Sequence, residues 1–126
     1  MKKSAALDSF WNSFEWVAVN EQSLYDEDTL RDLGDPSHYI SYEQAVGDLD
    51  RKLALSGDLW HNSTSWDTVE AKAEEIYDAI GLGGILIAYD GGALWITRGD
   101  TPYAPMAAAE NVRRIHFNIY AEYLSA

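Results

Sequence analysis

Apolar and polar residues alternate with a period of two along RRIHFNIYAEYL, residues 113–124. Ile115, Phe117, Ile119, Ala121 and Tyr123 share one side, and Arg114, His116, Asn118, Tyr120 and Glu122 the other. That pattern predicts a strand with one buried face. Two further strands are predicted over His38–Ala45 and Lys52–His61, joined by a polar turn at Gly47–Asp50. In the second of them Gly57 falls on the side of Leu53, Leu55 and Leu59, a place that suits a bulge or a close helix crossing. Ile85–Tyr89 and Leu94–Arg98 flank Asp90-Gly91-Gly92 and predict a hairpin, followed by a loop from Gly99 to Asn111.

Two segments follow the helical period instead. Leu7, Phe10, Trp11 and Phe14 recur after Ser4, a candidate N-cap, and predict a helix over residues 4–17. Trp66, Val69, Ala73, Ile76, Tyr77 and Ile80 form the second stripe, started by Asn62-Ser63-Thr64-Ser65, of which Thr64 or Ser65 can accept first-turn amides, and stopped by Gly81. Between the first helix and the first strand, residues 21–37 are acidic and carry Gly34, Asp35 and Pro36, which predicts a long surface loop with at most one helical turn. The element order α-β-β-α-β-β-β implies an α+β domain spanning residues 1–126, a mostly antiparallel sheet with helices packed on one face. The apolar faces place Trp66, Ile76, Trp95 and Phe117 together in its core, with Trp60 also inside.

Charge changes the picture only on one side. The chain carries a net −12, and residues 1–80 hold 17 acids and 6 bases while residues 81–126 hold 4 and 3. Such a surface repels phosphate backbones and argues against specific nucleic-acid binding. There is no Cys, no apolar run of membrane length and no signal-peptide pattern at the start.

Candidate chemistry is sparse. His38, His61 and His116 lie far apart in the chain without metal-ligand spacing. Gly81-Leu82-Gly83-Gly84 follows a helix and so does not make a phosphate-binding loop. Glu74 and Glu75 point about 100° apart on a helix, a poor arrangement for paired carboxylates. Arg98-Gly99-Asp100 and Asn62-Ser63-Thr64 are short matches to adhesion and glycosylation motifs, better explained as strand-end and helix-start residues. The expectation is no catalytic residue, no cofactor and no metal. Five Trp and eight Tyr remain, and aromatics beside Arg and Met are typical of protein contacts.

The ordered set FWNSF, HYISYEQA, LWHNSTSW, DGGALWITRGDTPYA and RRIHFNIYAEYL resembles a family of small tail proteins. These are encoded by long-tailed phages and prophages of Gram-positive bacteria and are often labelled minor capsid or tail-completion proteins. The resemblance covers most of the chain, departing from the family pattern between Glu15 and Pro36 and at residues 103–107. It implies a tail terminator fold and a hexameric ring that caps the tail tube and joins it to the head connector. The implied partners are copies of itself, the tube protein and the connector protein, with DNA passing through the ring and no membrane. The implied location is the tail and neck of the virion, assembled in the host cytoplasm. A neck joining protein and an acidic inhibitor of a basic toxin stay open as alternatives. On the ring reading, subunits are expected to touch through Arg98, Pro102, Tyr103, Met106, Arg113 and Arg114, the last two meeting the acids of residues 21–35 in a neighbour.

Overall fold

The computed structural model describes residues 1–25, 28–44 and 51–125. Six strands, β1 (Val17–Asn20), β2 (His38–Tyr42), β3 (Leu53–Asn62), β4 (Ile85–Tyr89), β5 (Gly92–Met106) and β6 (Val112–Ser125), form one sheet in the order β1-β2-β3-β6-β5-β4. β1 and β2 run parallel and every other pair antiparallel. Among the described residues three α-helices, α1 (Ala6–Asn12), α2 (Thr29–Asp32) and α3 (Asp67–Ile80), complete the α+β fold.

The register places the odd residues of β3 and β6 on one face: Gly57 pairs with Phe117, Leu59 with Ile115 and Leu55 with Ile119. Helices α1 and α3 cover that face. Helix α3 buries Val69, Ala73, Ile76 and Ile80, the predicted stripe, with Trp66 and Tyr77 half-buried at its edges. The Ser65 Oγ accepts the amide hydrogen of Asp67 at 3.2 Å, as the helix-start reading expects. Gly81, at φ +70°, ends the helix with its amide on the Tyr77 carbonyl, a backbone angle that disfavours other residues.

Gly57 is the close crossing and not a bulge. A Cβ there would lie 2.7 Å from the indole ring of Trp11, so α1 sits directly on the bare backbone of β3. Trp11 in turn stacks on Tyr42 and meets Phe117 and Phe10 edge-on, at ring centroids of 6.0, 6.3 and 5.0 Å. Offset and edge-on aromatic contacts of this kind add to the gain from burial.

Three sequence expectations are corrected. The first helix ends at Asn12, well short of residue 17, because Ser13 turns back on the Phe10 carbonyl and Glu15 takes φ +68°. Ser4 lies in a short 3-10 turn and does not cap it. The reversal at Glu15 frees Val17–Asn20 to pair with β2, a strand absent from the predicted order. Second, β5 does not stop at Arg98. A bulge over residues 99–102 absorbs the extra length, and pairing resumes with Tyr103 opposite Phe117, leaving only residues 107–111 between β5 and β6.

Third, Trp95 is 37% exposed and not core, since Leu94 and Ile96 take the helix side and turn it outward. Trp60 is half-buried on that same outer face. Residues 21–37 hold a 3-10 turn (Glu21–Tyr25) and α2, close to the predicted loop with a helical turn. The predicted strand end at Ala45 and the turn Gly47–Asp50 lie outside the described residues.

Candidate interaction surface

The face of the sheet opposite α1 and α3 carries the even residues of β3 and β6. Tyr39, Trp60 and Arg114 form one row across β2, β3 and β6, and Ser41, Asp58 and His116 the next. The Tyr39 ring stacks on Trp60 at 6.0 Å, and the Arg114 guanidinium lies 4.8 Å over the same indole. Trp60 Nε1 donates to Ser41 Oγ at 3.0 Å. Asp58 Oδ1 accepts from Arg114 Nε at 3.1 Å and from His116 Nδ1 at 2.9 Å. One carboxylate therefore ties β3 to β6 through two side chains. Burial raises the Tyr39 pKa and the Asp58 charge adds to this, while Arg114 opposes it.

Beside His116 the face dips into a cavity of about 400 Å³ that Glu43, Ser56, Asp100, Asn118 and Tyr120 help to line. An aspartate that fixes an imidazole can serve proton transfer. Here Arg114 neutralises the carboxylate, and the nearby Ser56 hydroxyl is held by Glu43 at 3.2 Å. Tyr120 donates to Asp100 at 2.7 Å, which raises its pKa, and Asn118 donates to the Thr101 carbonyl at 2.9 Å. The polar groups are thus satisfied by one another in a packed network. Asp58→Ala removes the shared acceptor and strands both donors. Thermal or denaturant unfolding should show a loss of about 2–3 kcal/mol, against under about 1 kcal/mol for Glu122→Ala, a half-buried carboxylate on the same face.

The histidines are not all separate, as the sequence spacing implied. His38 and His61 are register partners with ring centres 6.0 Å apart, and Trp16 stacks on His38 at 4.3 Å. Pairing of β2 with β3 brings them together, and no spacing rule in the sequence signals it. Among the described residues, no group of three or more His, Asp or Glu is arranged to hold a metal ion.

The residues expected at an interface divide into two groups. All three arginines are engaged within the subunit. Arg98 Nε and Nη2 donate to the Tyr77 carbonyl at 3.2 and 3.1 Å, and its guanidinium lies 3.5 Å over the Tyr77 ring. Arg113 Nη2 donates to the Thr64 carbonyl at 2.9 Å and covers Trp66, and Arg114 is held by Asp58. Tyr103 is not on a loop but stacks on Phe117 at 5.6 Å. Pro102 stands in the bulge and Met106, 41% exposed, at the end of β5.

Sequence reading missed an apolar surface. Leu86 and Trp95 are paired in register, and Leu124 lies one row away opposite Ala93. Leu86, 62% exposed, is on β4, an edge strand of the sheet, and Leu124, 38% exposed, is on β6. The outward parity of these residues, once Leu94 and Ile96 are assigned inward, is the signal that could have found it. No protein-family model matches the chain, and no curated protein or solved structure is significantly similar to it.

Proposed function

We propose that this protein is a tail terminator of a long-tailed phage or prophage, a subunit that closes into a ring on the end of the tail tube and joins it to the head connector. The resemblance of the ordered sequence blocks supplies the class. The observation that carries the assembly is the Leu86, Trp95 and Leu124 surface beside the open β4 edge, apolar area that a neighbouring copy would remove from water. The arginines are not needed for this contact, because they are committed within the subunit. The heavily acidic first two-thirds of the chain suits a ring through which DNA slides without binding.

Ring closure is tested with Leu86→Glu combined with Trp95→Glu. Both side chains lie on the outer face, so circular dichroism should show a folded subunit. The variant should fail to form oligomers by native mass spectrometry, alone or on tube ends, and should yield tails without heads. Normal-length tails attached to heads would overturn this contact. A wild-type chain that is absent from virions and found in a one-to-one complex with a basic protein would overturn the function.

A further inference from the structure

Between α3 and the outer part of β5 and β6 lies a groove of about 280 Å³, lined by Glu70, Glu74, Tyr103, Pro105 and Ile115. Its floor is apolar and its rim is two carboxylates one helical turn apart on α3. Like charges at that spacing destabilise a helix unless something neutralises them. Neither carboxylate has an ion-pair or hydrogen-bond partner among the described residues. Tyr103 registers the same field: burial raises its pKa first, and the charges of Glu74, Asp78 and Glu70 raise it further.

We propose that this groove is a docking slot for a lysine or arginine side chain of a protein partner other than a copy of this chain. The shape and charge fit such a side chain in two parts. Its methylene stem would cover Tyr103, Pro105 and Ile115, while its cationic head meets Glu70 and Glu74 and the face of the Tyr103 ring. Self-docking is disfavoured by the chain's own chemistry. Seven of its nine Lys and Arg side chains are already engaged within the subunit: Arg98, Arg113, Arg114 and Lys72 in hydrogen bonds, Arg31 with Asp28, and Lys3 and Lys52 over the rings of Tyr123 and Tyr120. The slot does not depend on ring closure, since it lies on the helix side of the sheet, away from Leu86 and Trp95.

The probe is a fluorescein-labelled (Gly-Arg)3 peptide, amidated at its C-terminus and titrated with the full chain at 0.1 M salt. Glu70→Gln with Glu74→Gln should weaken binding about tenfold, and because it relieves repulsion on α3 the variant should unfold no earlier than wild type. Glu21→Gln with Glu122→Gln makes the same change in net charge far from the groove and should alter binding less than twofold. Equal weakening by both pairs would assign the binding to overall charge and overturn the slot, as would wild-type binding no tighter than that of a (Gly-Ser)3 peptide.

Discussion

Trp11→Ala is expected to destabilise the fold more than any other single aromatic truncation, by about 3–5 kcal/mol in chemical unfolding. The side chain is fully buried and is the one piece of α1 that reaches across to both Phe117 and Tyr42. Its removal opens a cavity over the bare backbone of Gly57, where no neighbouring Cβ can collapse into the space. One feature reduces the loss. Trp11 Nε1 is buried without a hydrogen-bond partner, so truncation also removes an unsatisfied donor. Trp11→Phe isolates that effect: it drops the donor, keeps a ring, and should cost under about 2 kcal/mol. Trp95→Ala is the contrast. Its ring lies on the outer face with Nε1 on the Gly83 carbonyl at 3.0 Å, and its loss should cost about 1 kcal/mol, the scale of one neutral hydrogen bond. Equal midpoints for Trp11→Ala and Trp95→Ala would mean that the two faces of the sheet have been interchanged.

That contrast also marks where the sequence was legible. The alternation of residues 113–124 was enough to assign β6 and its buried face, because a strand covered on one side by helices must segregate apolar residues by parity. Helix α3 was equally plain. Around Trp95 the reading failed because ALWI holds consecutive apolar residues, and parity alone cannot say which of them face inward; only the pairing of Ile96 with Ala121 and Leu94 with Tyr123 decides. β1 was hidden for a different reason. A four-residue strand entered through a positive-φ glutamate has no local period, and its partner β2 is far along the chain. The extension of β5 was obscured by Gly99 and Pro102, which read as loop residues yet belong to a bulge. Of the expected interface residues, the arginines give no sign in the sequence of being bound, because the Tyr77 and Thr64 carbonyls and Asp58 become their neighbours only once the sheet has formed and α3 lies against it. The apolar outer surface is hidden by the same ambiguity, since it exists only with Trp95 facing outward.

The second large effect is expected at high pH. Tyr42 is buried and donates to Asp8 Oδ1 at 2.5 Å, a bond that ties β2 to α1. Burial first, then that hydrogen bond and the Asp8 charge, push its pKa well above the ordinary tyrosine value. Tyr39 and Tyr123 are raised as well, also mainly by burial. A tyrosine whose pKa is raised on folding binds its proton more tightly in the folded chain than in the unfolded one. Its contribution to stability is therefore complete below the unfolded value of about 10 and is lost as pH climbs through the folded value. Above pH 10, Tyr42 alone should make the unfolding free energy fall by up to about 1.4 kcal/mol per pH unit, and the other raised tyrosines steepen this. Tyr42→Phe separates the two parts of the effect. At pH 7 it loses a hydrogen bond to a charged acceptor and should be less stable by about 1.5–3 kcal/mol. Above pH 10 it has no proton to lose at this position, so its stability should decline more slowly than that of wild type and the two curves should converge. Parallel decline between pH 10 and 12 would show that alkaline unfolding does not pass through the contact between α1 and β2.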